Sequence, residues 1–269
     1  MADRARSGYR WWLGRSTGRV RGRVCSALFF FPRGGSAQVS RALCRALAET
    51  GWQVRLAAGS LGGPDAPTNA RSFYSGIDVS TVDYSPALQF ADPLAAPVPF
   101  QPSYEDRPAG PDRVFAAVDA AAYERLVAAW AEALARAGAA EADLLHLHHL
   151  TPAHEAALRA FPSLPIVGQL HGTELAFLRA LAAGPPSGWR HARAWERRLG
   201  RWAHACERLI VPPGAEAEVA ALLGLERFRL RGLPSGVELD RFRPCPLAGE
   251  ARFAGTATGA TVGCQRTFA

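Results

Sequence analysis

The sequence predicts an α/β protein built on a doubly wound, mostly parallel sheet. Two observations carry that prediction, and a third excludes a membrane span in the first apolar run. Short apolar runs alternate with helical stretches from residue 24 to about residue 230. The first strand, helix and second strand lie close enough to form one β-α-β unit, whose crossover is right-handed. The apolar run at 24–31 stops at Pro32, well short of the ~20 residues a membrane span needs.

Each element has a local reason. Residues 26–31 read as a buried strand, apolar and aromatic, ended by Pro-Arg-Gly-Gly. Ser36 is expected to cap the next helix. Val39, Ala42, Leu43, Ala46 and Leu47 are expected on its buried face, with Arg41 and Arg45 opposite and Gly51 closing it. Residues 53–58 form the second strand. Residues 59–110 are rich in Gly, Pro, Ser and Asp, and a long surface excursion holding one strand at 77–84 is expected there. An Ala-rich helix follows over 112–137, ended by Gly138. A strand is expected at 144–148, a helix at 151–160, and a strand at 165–170 running into His171-Gly172-Thr173-Glu174 and a helix to about residue 183. A helix over 187–207, a strand at 209–211, a helix at 216–223 ended by Gly224, and a strand at 228–230 complete the pattern.

The ends differ from the body. Residues 1–23 hold seven arginines and one acid, with no helix or strand period, and are expected to form a basic disordered tail. The remaining chain carries 24 arginines against 23 acids, so it lacks the clustered basic face that nucleic-acid binding requires. Gly14-Arg15-Ser16-Thr17-Gly18 matches a hydrolase elbow in letters only, because no strand precedes it and no helix follows. Residues 245–269 are dominated by Gly, Ala and Thr and are expected to be unstructured, leaving one domain over 24–244.

Composition excludes several chemistries. All 31 basic residues are arginine, so neither a Schiff-base lysine nor a P-loop can exist. The cysteines at 25, 44, 206, 245 and 264 are dispersed, with no C-x-x-C pair. That pattern reads as reduced and cytoplasmic.

In doubly wound sheets, ligands bind beyond the carboxyl ends of the strands. Three segments fall there. Pro32-Arg33-Gly34-Gly35-Ser36 joins the first strand to its helix. Its glycines let a ligand approach the backbone, and the helix N-terminus favours a phosphate or a sugar hydroxyl. A plain tight turn is the alternative. His146-Leu147-His148-His149-Leu150-Thr151 places His146 and His148 on one side of a strand. With His154 as the only further donor besides Glu155, the set falls short of a zinc site. Histidines partly packed and partly lining a cleft are the other reading. In His171-Gly172-Thr173-Glu174, Thr173 is expected to cap the helix, Glu174 suits its first turn, and His171 faces the crevice. The 187–207 helix sets Trp189, Trp195, Leu199, Trp202 and Cys206 against a basic remainder. A core stripe with a solvated face explains it, and weak peripheral contact with anionic lipid is the alternative.

Taken in order, these segments resemble the N-terminal, acceptor-side domain of a family-4 retaining glycosyltransferase, whose GT-B fold sets two Rossmann-like lobes across a cleft. The Gly-Gly loop at 32–36 resembles the family's first-strand loop. Gly51-Trp52-Gln53-Val54 resembles the entry to its second strand. Ala142-Asp143-Leu144-Leu145-His146-Leu147-His148-His149 resembles its "D-hydrophobic-H-x-H" strand. Residues 166–174 resemble the apolar strand ending in "H-G-T-E". Leu233-Pro234-Ser235-Gly236-Val237-Glu238, running on to Pro244, resembles the link into the second domain.

The resemblance implies transfer of a sugar from a nucleotide-diphosphate donor to an acceptor, with retention and with neither metal nor other cofactor. It implies that Gly34 and Gly35 approach the donor's phosphates and sugar, with Ser36 beside them, and that His171 contacts the transferred sugar. His149, Thr173 and Glu174 are expected to bind substrate alongside. The expected partners are the donor and the acceptor, with no nucleic acid. Ser235 stands where the family has Asn, and Glu238 where it has Asp. Beyond Pro244 the only acid is Glu250, so no E-x7-E pair can follow. A truncated product lacking the second lobe is therefore expected, weakly active or inactive unless a partner chain supplies that lobe. The alternative is a non-enzymatic paralogue that binds a sugar, a membrane surface or a partner subunit.

Overall fold

A computed structural model describes residues 20–105 and 113–236. Most of the basic tail, the 14–18 segment and the 245–269 end lie outside the described residues.

Seven strands form one parallel sheet in the order β3-β2-β1-β4-β5-β6-β7. They are β1 (Gly22–Leu28), β2 (Trp52–Ser60), β3 (Asp78–Asp83), β4 (Leu144–His148), β5 (Ile166–Gln169), β6 (Arg208–Val211) and β7 (Leu230–Gly232). The helices are α1 (Gly35–Glu49), α2 (Ala70–Phe73), α3 (Ala120–Arg136), α4 (Pro152–Ala160), α5 (Gly172–Ala183), α6 (Ala192–Ala205) and α7 (Glu216–Leu223). The chain order reverses at β1, which pairs with β2 on one side and β4 on the other. That reversal is the switch point at which such sheets hold ligands.

Alternation along the strands fills both faces. Cys25, Ala27 and Ala57 join the larger core, with α3, α4 and α6. Leu28, Leu56 and Ala58 face the other way, toward Ala37 and Cys44 of α1 and Tyr74. The α1 face differs from the expected one. Its buried residues are Ala37, Ser40, Arg41 and Cys44, whereas Val39, Ala42, Leu43, Ala46 and Leu47 stay partly or largely exposed. Small side chains let the helix approach the sheet closely. Arg41 fits among them because its guanidinium lies over the Phe73 ring, 4.4 Å from the centroid.

Other boundaries shift for similar reasons. β1 starts at Gly22, inside the expected tail, because its ladder to β2 runs from Gly22 opposite Trp52. It ends at Leu28, and Phe29, Phe30 and Phe31 leave the ladder while staying buried. α3 begins only at Ala120, where Asp119 Oδ1 accepts the Ala122 N–H at 2.8 Å. Residues 227–229 form a 3-10 turn, and β7 follows it.

Part of the expected surface excursion is internal, while residues 62–65 and 88–92 are exposed. Tyr84, Ala87, Ala96, Phe100, Gln101, Ser103 and Tyr104 are all buried. Gln101 Oε1 accepts the Phe31 N–H at 3.0 Å, and the Tyr104 hydroxyl donates to the Leu150 carbonyl. The segment thus covers the carboxyl ends of β1 and β4. Tyr84 ties it to the sheet, donating to the Phe29 carbonyl at 2.9 Å and accepting from Trp130 Nε1 at 3.1 Å. Tyr84→Phe orphans both groups in a dry core. It is expected to cost about 1–3 kcal/mol in urea unfolding; a change near zero would mean that the two groups find other partners.

The apolar side of α6 lies inside the molecule. Trp195, Leu199 and Trp202 are fully buried, so that side packs on the core and is not presented to lipid. No helix among the described residues is long and apolar enough to cross a membrane.

Candidate functional site

A cleft of about 770 Å³ opens at the switch point. Three strand-to-helix turns build it: 29–35 after β1, 149–151 after β4, and 170–172 after β5. Gly34, Gly35, Ser36, His149, His171 and Thr173 all line it, together with Phe30, Arg33, Val39, Ser103, Tyr104, Glu105, Gly172, Ala176 and Ser235.

The glycine turn shapes one wall. Gly34 caps α1 at φ 74°, ψ −165°, a region essentially restricted to glycine. Ser36 therefore sits within the first turn and is not its cap. No side chain caps α1, so its first N–H groups and the positive end of its dipole are left for a ligand. A Cβ at Gly35 would meet nothing within 4 Å. Nothing in the fold demands glycine there.

The second wall is the start of α5, whose cap is His171, not Thr173. Thr173 is the second residue of the helix, and its hydroxyl donates to Glu174 Oε2 at 3.1 Å. Glu174 was expected to bind substrate but does not line the cleft. It is fully buried beneath it. Its carboxylate accepts the His171 N–H at 3.2 and 3.3 Å and approaches His149 Nδ1 to 2.6 Å. Burial pushes this carboxyl up, but the pairing with His149, with a smaller share from His171, outweighs it and holds the group below the usual carboxylate range. A first-turn residue that reaches back to its own cap explains the inward position.

Behind both walls stands a group of imidazoles. His171 Nε2 lies 3.1 Å from His148 Nδ1, and the His148 and His146 rings are 4.5 Å apart. Burial pushes His171 down to about 3, His154 to about 3 and His146 to about 4, and it sets His148 well below the ordinary value. All four are neutral near pH 7 on these values. Among the described residues, no three His, Cys, Asp or Glu side chains are arranged to hold a metal ion.

Tyr104, Phe30 and Ser235 were not singled out as site residues in the sequence. Tyr104 lay in the segment read as a surface excursion, where the run Gln101-Pro102-Ser103-Tyr104 was the available signal. Phe30 reads as plain core. Ser235 belongs to the quoted link segment and returns to the cleft after β7.

Residues 33–241 match the family model described as Glycosyltransferase Family 4. The chain belongs to that family. No curated protein sequence matches it. Among solved structures, sucrose-phosphate synthase from Thermosynechococcus elongatus superimposes with a TM-score of 0.55 at 13% identity, over 90% of this chain and 53% of that one. Anabaena Alr3699/HepE in complex with UDP-glucose gives 0.47 at 12% identity, over 88% and 50%. Phytolacca americana UGT2, complexed with UDP-2fluoro-glucose and pterostilbene, gives 0.46 at 12% identity, over 80% and 53%. The chain spans about half the length of these proteins. Its seven-stranded parallel sheet, flanked by helices, is the Rossmann-like lobe of a GT-B glycosyltransferase.

Proposed function

We propose that this family-4 glycosyltransferase chain forms the acceptor-side wall of a sugar-transfer site fed by a nucleotide-diphosphate-sugar donor, with retention at the anomeric carbon. The observation that carries the reading is the convergence of an uncapped helix start, a glycine turn and a neutral imidazole on one cleft. As the donor bond breaks, negative charge grows on the departing nucleoside diphosphate. Preoriented N–H groups of Gly35 and Ser36 stabilise that charge without reorganising. Gly34 gives the turn its shape. His171 meets the transferred sugar as a neutral partner, and Thr173 lines the same side. A metal is not required in this scheme, because the helix dipole supplies the positive end.

Transfer needs a facing lobe to bury the donor and exclude water. The test mixes the full chain with the separately expressed second lobe of a family-4 enzyme and supplies labelled nucleotide sugars. Sugar transfer is expected in the mixture. His171→Ala is expected to lower it about 100-fold, and Gly35→Ala about 10-fold or more, since the added methyl occupies the phosphate's approach. Gly35→Ala should leave thermal stability unchanged. Transfer unaffected by either substitution, or no transfer from any donor, overturns the assignment.

A further inference from the structure

The glycine turn is held by a segment far from it in the chain. The β1 ladders stop at Leu28, so the backbone of Phe29, Phe30 and Phe31 runs on without strand partners. Three side chains of the 84–104 stretch meet the backbone there and at the turn after β4. Tyr84 donates to the Phe29 carbonyl at 2.9 Å, Gln101 Oε1 accepts the Phe31 N–H at 3.0 Å, and the Tyr104 hydroxyl donates to the Leu150 carbonyl. Of these, Gln101 acts nearest the glycines. Phe31 stands directly before Pro32, whose ring fixes φ and which has no N–H to give. No backbone carbonyl accepts the Phe31 N–H among the described residues.

Gln101 is fully buried, and its Nε2 has no hydrogen-bond partner. The side chain thus pairs one buried donor and leaves another unpaired, so the number of satisfied groups gives the fold no gain. What the bond does supply is position. Gln101 stands on a firm base: Pro102 after it restricts its backbone to extended conformations. The Ser103 N–H donates to the Arg113 carbonyl at 2.8 Å, and the Phe115 N–H donates to the Ser103 carbonyl at 2.8 Å. The glycines have no comparable support. A Cβ at Gly34 or at Gly35 would meet nothing within 4 Å, so neighbouring atoms do not wedge the turn on that side.

We infer that Gln101 is the positioning residue of the glycine turn: by fixing the Phe31 N–H, it aims the Gly35 and Ser36 N–H groups at the donor's phosphates. Glycine rotates with little restriction, so the direction of the turn is imposed by the residue before Pro32. Donors of this kind work because they are aimed in advance, and a misplacement of about 1 Å costs on the order of 100-fold. The inference rests on the phosphate role given above to the start of α1 and adds the group that sets its direction.

The test uses the full 15N-labelled chain and inorganic pyrophosphate, a probe with two phosphate groups and neither base nor sugar. In the unmodified chain, pyrophosphate should shift the Gly35 and Ser36 amides. It should also slow hydrogen exchange at the Phe31 amide about 10-fold, because a bond that favours the ligand-binding turn is favoured by the ligand to the same extent. By that reciprocity, Gln101→Leu should weaken pyrophosphate about 10-fold. Ile166→Val, at the far end of β5, is the stability control. It should lower the urea midpoint and leave pyrophosphate affinity unchanged, as a purely structural Gln101 would. Equal weakening by Ile166→Val, or undiminished binding by Gln101→Leu, overturns the positioning role and leaves the phosphate reading standing. So does a Phe31 amide whose exchange ignores pyrophosphate, a measurement that needs no variant and therefore holds even where Gln101→Leu does not fold. If pyrophosphate leaves Gly35 and Ser36 unmoved, both readings fall together.

Discussion

Acidification from about pH 7 to about pH 5 is expected to destabilise this protein by several kcal/mol. The cause is the imidazole group beneath the cleft. His146 is pushed by burial to about 4, His154 and His171 to about 3, and His148 well below 6.5. An unfolded chain takes up protons on these groups near pH 6.5, whereas the folded protein refuses them until the pH is much lower. Stability is therefore complete above about 6.5 and is lost as the pH falls toward the folded values. Each group protonated only in the unfolded state contributes about 1.4 kcal/mol per pH unit, so below the unfolded value four acting together remove about 5 kcal/mol for each pH unit. Against a typical total of about 5–15 kcal/mol, that suffices to unfold the domain. Glu174 acts in the same sense at lower pH, because its folded value lies below the usual one and its contribution disappears as the carboxyl protonates. Urea titrations across this range should show the steep slope. His146→Leu removes one of the four protons and should flatten it by about a quarter. A stability that stays level down to about pH 5 would disprove the account.

The second large effect is expected from Glu155→Ala. Glu155 lies on α4, directly after the turn that carries His149, and is buried. It accepts hydrogen bonds from Arg159 Nε at 2.8 Å and Trp202 Nε1 at 2.9 Å, and from Arg201. Arg159 continues to Glu124 of α3 at 2.6 Å. One carboxylate thus pins α3, α4 and α6 together behind the cleft. Removing it strands the Trp202 N–H in the core and leaves two arginines with one partner fewer. The expected loss is about 3 kcal/mol. Glu155→Gln retains an acceptor for Trp202 and is expected to lose about half as much. Equal losses for the two variants in chemical denaturation would show that charge, and not the hydrogen bond to Trp202, is what matters here.

Much of this architecture is legible in the sequence because its signals are local. The apolar runs at 144–148 and 166–169 and the amphipathic period of α6 report strand and helix wherever they occur. The glycine turn announces itself through composition. Other features are not local. The buried face of α1 is not legible in its apolar period, because close approach to the sheet selects Ala37, Ser40 and Cys44 over larger apolar residues. Outside its one strand, the 59–110 stretch reads as surface because its prolines and short side chains hide the fact that Phe100 and Tyr104 reach the core.

By itself, then, the chain's order of residues determined the sheet class, the family's spaced segments, and the presence of Gly34, Gly35 and His171 at strand ends. Each of these depends on neighbours a few positions away. Only the tertiary structure decided that Glu174 turns beneath the cleft, that His149 takes a left-handed backbone above it, and that Tyr104 closes the same wall. Those placements require β1, β4 and β5 to stand side by side, and the distance from Gly34 to His171 along the chain carries no record of it.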